Sequence, residues 1–203
     1  MRPEKLVIFV KAPRSGTVKS RLAQSIGPRA ACAAYRRLVE TLVERLGHLP
    51  AAELRFSPDD AAPEVRAWLR GGWLCRPQCG GNLGDRLQSA FAESFAEGAQ
   101  RVVIIGSDCP AVTAEDIHAA WTSLLTHDVV IGPASDGGYW LIGLCQARAD
   151  LFSDIPWSTD QVLAQTLQRV NEAELSVRTL RELDDVDTEA DWRRFVESQN
   201  RDG

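Results

Sequence analysis

The chain has 203 residues, of which 44% are hydrophobic and 25% charged, with a net charge of −5, an ordinary balance for one globular domain. The early apolar run from Leu6 to Val10 is too short for a membrane span or for the apolar region of a signal peptide. We therefore expect a single cytoplasmic domain over residues 1–203, with no membrane partner.

The charge is unevenly distributed along the chain. Residues 1–37 contain nine basic residues and one acidic residue, a net charge of +8, whereas residues 38–203 carry −13. A compact basic segment beside an acidic remainder suits a small phosphorylated ligand with its metal better than a long polyanion. We therefore expect no nucleic acid partner.

Strand and helix patterns alternate along the chain. Short apolar and β-branched runs predict strands at 5–10, 54–57, 73–76, 101–105, 128–131, 139–144 and 175–180. Apolar residues at helical spacing predict helices at 28–46, 63–69, 83–97, 113–125, 160–172 and 188–198. Thr17 is predicted to cap a further helix after the first loop. The alternation predicts an α/β domain with three α/β/α layers and a mixed, mostly parallel sheet.

The loop after the first strand is the first candidate site. It leads from a buried strand into a helix, which is where phosphates bind in open α/β sheets. Gly16 permits a close approach of the backbone to a ligand. Four basic side chains would neutralise a diphosphate or triphosphate: Lys11, Arg14, Lys19 and Arg21. The loop lacks the glycine spacing of dinucleotide folds and P-loops, and a solvated basic loop is the alternative interpretation.

Two acidic motifs predict a metal site. Asp108 follows the predicted strand 101–105, and Asp185 and Asp187 alternate in the segment DDVDT. Acidic residues at the carboxyl ends of strands face the ligand crevice, and Mg²⁺ takes one or two carboxylates plus substrate phosphates. We predict Asp108 and Asp187 as ligands of Mg²⁺ or Mn²⁺. Turn formation by Asp108, and helix capping by Asp187 or Thr188, are the alternative roles.

A glycine pair lies between two predicted strands in the segment DGGYW. Gly137 and Gly138 would let the backbone approach a ligand, and Asp136 could bind hydroxyl groups or act as a base. The aromatic residues that follow could contact a ring. A plain β-hairpin explains the same pattern. The segment 157–159 could line the same crevice or cap the helix that starts near residue 160.

Taken together, these motifs resemble a bacterial family of small glycosyltransferase-like transferases. Some genomes associate that family with radical-SAM and selenium-domain proteins and with arsenosugar synthesis. The matching segments run in family order over nearly the whole chain: VKAPRSGTVKSRLA, GNLGDRLQSAF, GSDCP, GPASDGGYWLIGL, IPWST and DDVDTEADW. The family is similar in turn to the nucleotidyltransferases that place guanylyl or cytidylyl groups on molybdopterin and deazaflavin precursors. The resemblance implies a glycosyltransferase-A type nucleotide-diphospho-sugar transferase fold with a nucleotide crevice at the C-terminal edge of the sheet.

The resemblance also implies roles for particular residues. In those nucleotidyltransferases a Lys-Ser-Arg-Leu-like segment handles the triphosphate and maps onto residues 19–22, while two acidic metal ligands map onto Asp108 and Asp187. The segment TEAD at 188–191 departs from the Thr-Pro-Glu-Asp of many relatives without removing the acid. The role of the loop around Asn82, in base or sugar contact, stays open.

These observations predict a metal-dependent transferase that uses a nucleotide sugar as donor and a small molecule as acceptor. Lys19 and Arg21 would stabilise the leaving diphosphate, while Asp136 would contact the donor sugar or activate the acceptor hydroxyl. One alternative is nucleotidyl transfer from an NTP to a phosphorylated small molecule at the same site. A second alternative is a non-catalytic nucleotide-binding protein.

Overall fold

The computed structural model describes residues 4–50 and 52–201. Within these residues, seven strands form one sheet: β1 (Glu4–Lys11), β2 (Ala52–Ser57), β3 (Leu74–Pro77), β4 (Arg101–Ile105), β5 (Val129–Pro133), β6 (Tyr139–Leu144) and β7 (Val177–Thr179). Each strand lies within two residues of its predicted bounds. The strands form because apolar and β-branched residues dominate these short runs.

The sheet has the order β3-β2-β1-β4-β6-β5-β7, and only β6 runs antiparallel to its neighbours among the described strands. The mixed, mostly parallel sheet predicted from the sequence is thus confirmed. β2 and β3 follow β1 on one side of it, and β4 then pairs with β1 on its other side. Ligands bind in open α/β sheets where the strand order reverses in this way, outside the carboxyl ends of the strands.

The described part of the chain contains seven α-helices: α1 (Ser20–Ile26), α2 (Pro28–Leu46), α3 (Ala62–Val65), α4 (Leu83–Ala96), α5 (Ala114–Ser123), α6 (Val162–Glu172) and α7 (Glu189–Gln199). A short 3₁₀ turn at Arg66–Trp68 continues α3, so the predicted helix at 63–69 is split between two helix types. None of these helices is long and apolar enough to cross a bilayer.

Two apolar layers hold the helices against the sheet. On one face, Ile8 and Val103 pack against residues of α2 and α5, including Val39 and Ile117. On the other face, the sheet packs against α4 and α6 through an apolar cluster: Val7, Ile104, Ile142, Phe91 and Val170. Each fully buried aliphatic side chain contributes about 1.5–3 kcal/mol relative to an exposed one. The result is the predicted three-layer arrangement.

Two predicted helix starts differ from the structure. Thr17 does not cap α1; its hydroxyl donates to the Arg14 carbonyl in a turn, and the helix begins three residues later behind Lys19. The segment 157–159 does not cap α6 either, because that helix begins at Val162 behind Gln161. In both places a threonine hydroxyl donates to a carbonyl three residues earlier, in a turn that precedes the helix.

Candidate functional site

A cavity of about 530 Å³ opens at the carboxyl ends of β1 and β4. The register pairs Ile8 with Ile105, so the chain leaves both strands at the same edge of the sheet. The antiparallel β6 begins at this edge and contributes Tyr139 and Trp140 to the cavity wall. The volume lies in the range of small-molecule sites.

Lys19 connects the basic loop to both predicted metal ligands. Its ammonium lies 2.5 Å from Asp108 Oδ1 and 3.0 Å from Asp187 Oδ1, and its side chain is only 3% exposed. Burial acts to lower the Lys19 pKa, but the charges of Asp108 and Asp187 outweigh burial and raise it. Arg21 lies 3.6 Å from Asp187 Oδ2. Four predicted site residues therefore meet on the cavity wall.

The backbone fixes the two acidic segments against each other. The Val186 N–H donates to the Asp108 carbonyl at 3.0 Å, so the segment before α7 lies beside the end of β4. Thr188 caps α7, and the Thr188 N–H in turn donates to the Asp191 carboxylate. The capping role predicted as an alternative for this segment thus coexists with the contact of Asp187 to Lys19.

Asp185 is a third acid on the cavity wall. Burial and, next, the charge of Asp108 raise the pKa of Asp185 to about 7, although the charge of Lys19 opposes the shift. The charges of Asp187 and Asp136 act in the same raising direction. Near neutral pH the wall therefore carries less negative charge than three ionised carboxylates would.

Tyr35 is a cavity residue that the sequence pattern identified only as part of the α2 core face. Its hydroxyl accepts the Lys11 backbone N–H at 2.7 Å and lies 3.0 Å from the Ser107 hydroxyl. Lys11 ends β1 and Ser107 follows β4, so one buried side chain joins the two loops that carry Lys19 and Asp108. Helical spacing cannot reveal this role, because both partners are far away in the chain.

Gln78 and Arg86 line the cavity at the end near β3, and sequence reasoning missed both. The Gln78 amide donates to the Val10 and Arg55 carbonyls, and its Oε1 accepts from Arg86 at 3.2 Å. Asn82, in the adjacent loop, caps α4 through a reciprocal pair of hydrogen bonds with Asp85. The structure thus gives Asn82 a capping role.

Arg14 and Gly16 do not line the cavity. Arg14 instead forms ion pairs with Asp60 at 3.0 Å and with Glu64 at 2.9 Å, beside α3. Gly16 has a φ of 87° in the turn before α1, a conformation that favours glycine. The structure thus places both residues outside the cavity wall, and their phosphate contacts stay a prediction.

The DGG segment forms the turn between β5 and β6. Asp136 Oδ1 accepts the Gly138 N–H, and Gly137 has a φ of 86°. A Cβ at Gly137 would collide with the backbone of Asp160, so glycine is required there by packing. Residues 136–138 do not line the cavity, which matches the hairpin interpretation. Ser158 is the residue of the segment 157–159 that does line it.

The donor set around Lys19 fits a divalent cation. Among the described residues no group of three acidic, histidine or cysteine side chains is arranged to hold a metal. Asp108 and Asp187 nevertheless direct one oxygen each at a single cationic atom. Two carboxylates completed by substrate phosphates are the ligands that Mg²⁺ takes in many nucleotide enzymes.

Sequence and structure comparisons assign the chain to a family. The family model described as "Uncharacterized protein conserved in bacteria (DUF2064)" matches residues 43–159. The chain belongs to this family. The crystal structure of a "putative nucleotide-diphospho-sugar transferase" from Desulfovibrio desulfuricans G20 has 35% sequence identity to it and a TM-score of 0.87, covering 93% of this chain and 84% of that one. None of the curated proteins matches this DUF2064 chain.

More distant structures share the fold of the DUF2064 chain. CMP:2-keto-3-deoxy-manno-octonic acid synthetase complexed with CTP has a TM-score of 0.63 at 12% identity, covering 98% of this chain and 99% of that one. Rv0371C from Mycobacterium tuberculosis H37Rv, complexed with manganese, has a TM-score of 0.54 at 19% identity, covering 96% and 98%. The predicted nucleotide-diphospho-sugar transferase fold is confirmed, and the predicted transferase class agrees with the activities named for two of these proteins. The links to radical-SAM, arsenosugar and molybdopterin chemistry stay predictions.

Proposed function

We propose that this protein is a divalent-metal-dependent transferase that binds the diphosphate group of a nucleotide in the cavity at the ends of β1 and β4. The observation that carries the proposal is the placement of the Lys19 ammonium between Asp108 and Asp187. Cationic side chains and metal-binding carboxylates at a strand-loop-helix junction suit a leaving phosphate. The 35% identical relative and the manganese complex of a fold neighbour support this proposal.

In the proposed reaction the donor is a nucleotide sugar and the acceptor is a small molecule. Lys19 and Arg21 would neutralise the diphosphate as it leaves, and Asp108 and Asp187 would hold Mg²⁺ or Mn²⁺. When bound, the cation would supply further charge stabilisation to the leaving phosphate. Asp136, in the turn beside this wall, is the candidate for contact with the donor sugar or the acceptor hydroxyl.

Nucleotidyl transfer is the second candidate, and one observation favours it. Residues 136–138, which would form the sugar-facing loop, do not line the cavity. A reaction in which an acceptor phosphate attacks the α-phosphorus of an NTP needs the same phosphate-binding residues and no sugar pocket. Both reactions break a bond to a phosphate group, but glycosyl transfer releases a nucleoside diphosphate and nucleotidyl transfer releases pyrophosphate.

The released product distinguishes the candidates. The protein would be incubated with Mn²⁺, a panel of nucleotide sugars and NTPs, and a bacterial small-molecule extract as the source of acceptors. Glycosyl transfer predicts a nucleoside diphosphate that depends on both donor and extract, whereas nucleotidyl transfer predicts pyrophosphate. Asp108→Asn should abolish either product.

A matched control is Asp154→Asn. It makes the same substitution at an aspartate whose side chain is 90% exposed and does not line the cavity. Its φ of 56° is tolerated by asparagine. This variant should keep full turnover. A protein that binds nucleotide without turnover, with the same affinity in Asp108→Asn, would instead be the non-catalytic nucleotide-binding protein.

A further inference from the structure

The Lys19 ammonium lies between the two proposed metal ligands, where a divalent cation would bind. Its ammonium contacts the Oδ1 atoms of Asp108 and Asp187 at 2.5 and 3.0 Å. The Lys19 side chain is 3% exposed, so the ammonium is nearly removed from water, whereas Asp108 and Asp187 are 45% and 36% exposed and can be reached by a cation from the cavity. The same two oxygens would serve a divalent cation.

The backbone of Lys19 has an unusual conformation. Lys19 has φ 50° and ψ 52°, in the left-handed region that non-glycine residues rarely adopt. Such a conformation costs free energy and persists where surrounding interactions determine it. The two carboxylates are the interactions that the Lys19 side chain makes here.

An ammonium and a divalent cation cannot share these oxygens at contact distance, because two like charges so close together repel each other, and here one of them is buried. Lysine also binds phosphate well as a point charge. A phosphate group that enters the cavity can therefore bind Lys19, and the carboxylates become available to a metal at the same time.

We infer that Lys19 excludes the divalent cation from Asp108 and Asp187 until a diphosphate group binds, so that metal and nucleotide load together. This inference rests on the proposed function, because it takes the same carboxylate pair as the metal site. It adds that the protein without nucleotide binds the metal weakly, and that the ligand it recognises is a metal–diphosphate complex. Arg21, which is 71% exposed and 3.6 Å from Asp187, is too loosely placed to exclude a cation in the same way.

The direct test is Mn²⁺ binding without nucleotide, measured by calorimetry and by the electron paramagnetic resonance signal of free Mn²⁺. Lys19→Met keeps a long unbranched side chain and removes the charge. It should bind Mn²⁺ alone at least tenfold more tightly than the wild type, and adding Asp108→Asn should cancel the gain. Arg21→Met is the matched control and should bind Mn²⁺ as weakly as the wild type.

Removal of Lys19 leaves two facing carboxylates and can lower stability, so Lys19→Gln is measured in parallel, and both variants are also followed by thermal unfolding. Mn²⁺ alone should raise their unfolding midpoints but not that of the wild type. If neither variant binds Mn²⁺ more tightly than the wild type, the inference is overturned.

Inorganic pyrophosphate separates this failure from failure of the proposed function. The wild type should bind pyrophosphate more tightly with Mn²⁺ than without it, and Asp108→Asn should remove the difference. If this holds while the Lys19 variants gain no Mn²⁺ affinity, the metal site stands and only the exclusion by Lys19 is wrong. If Asp108→Asn leaves pyrophosphate binding unchanged, the proposed metal site itself is wrong.

Discussion

The Tyr35 hydroxyl accepts the backbone N–H of Lys11 at 2.7 Å and thereby joins the middle of α2 to the end of β1. It also lies 3.0 Å from the Ser107 hydroxyl, at the end of β4. Burial is the main cause that raises the Tyr35 pKa, and the Asp108 charge adds to it, so the hydroxyl keeps its proton. One buried neutral hydroxyl therefore holds the ends of β1 and β4, from which the two loops of the proposed site start, next to each other.

Tyr35→Phe should lower the free energy of unfolding by about 1–3 kcal/mol, because it leaves the Lys11 N–H without its partner. Urea denaturation measures the change. Tyr139→Phe is the matched control, since the buried Tyr139 hydroxyl has no well-formed hydrogen bond among the described residues. Its removal should change stability by less than about 0.5 kcal/mol or raise it slightly. Equal losses in the two variants would contradict the joining role of Tyr35.

The two arginines of the basic segment should differ in their effect on nucleotide binding. Arg21→Ala should weaken binding about tenfold, because Arg21 lies on the cavity wall and a charge-assisted contact is worth about 1.5–3 kcal/mol. Arg14→Ala should change affinity less than about twofold, because Arg14 is engaged by Asp60 and Glu64. Calorimetry with the nucleotide found by the product panel compares them. A larger loss in Arg14→Ala would show that Arg14 leaves these acids to bind the ligand.

A buried charge network lies under α4. The Glu53 side chain is 1% exposed and lies 2.5 Å from Arg55, 2.9 Å from Lys5 and 3.1 Å from Arg76. Glu53→Gln removes the one buried carboxylate that contacts all three cations, which then keep, among the described residues, only the half-exposed Glu93 and Glu97 as partners. It should therefore cost about 3 kcal/mol in urea denaturation. Glu97→Gln makes the same change on a side chain that is 44% exposed and should cost less than about 1 kcal/mol. If both substitutions lowered the free energy of unfolding equally, the buried network would stabilise the fold no more than surface ion pairs do.

Asp116 links stability to pH through Arg181, which contacts both of its carboxylate oxygens at 2.7 Å. Burial acts to raise the Asp116 pKa, but the hydrogen bonds from Arg181 and Thr113 outweigh it and hold the pKa below the ordinary value of an aspartate. A pKa that folding lowers stabilises the protein above the unfolded value and loses this contribution as pH falls through the folded value. The stability advantage of the wild type over Arg181→Gln should therefore shrink below about pH 4. Urea titrations at pH 6 and pH 3 measure it, and an advantage that is independent of pH would contradict this account.

Local sequence signals predicted most of the fold. The bounds of α2 match the prediction because Pro28 and Gly47 bracket a regular apolar stripe. The helix predicted to start at residue 113 does so, because Thr113 caps α5 in a reciprocal pair of hydrogen bonds with Asp116. The start of α1 was missed because the turn after Gly16 and the left-handed Lys19 are not encoded by any capping residue.

The candidate site was harder to predict than the fold, because its contacts join distant segments. The pairing of Lys19 with Asp108 and Asp187 depends on three loops that meet only in the folded chain. Gln78 carries no local motif, and its place in the cavity follows from two backbone carbonyls on neighbouring strands. Arg14 has the same charge as Arg21, and only the position of α3 explains why it is engaged elsewhere.

The central claim, a metal-dependent diphosphate site on Asp108, is tested most directly by thermal unfolding with nucleotide sugars and NTPs, each with and without Mn²⁺. At a hundredfold excess over the dissociation constant, a bound ligand adds about 2.7 kcal/mol, which raises the midpoint by about 5–10 °C for a chain of this size. We expect at least one nucleotide to do so in the wild type only with Mn²⁺, and not in Asp108→Asn. If no nucleotide shifts the wild-type midpoint under either condition, or if Asp108→Asn responds as the wild type does, the proposed site is wrong.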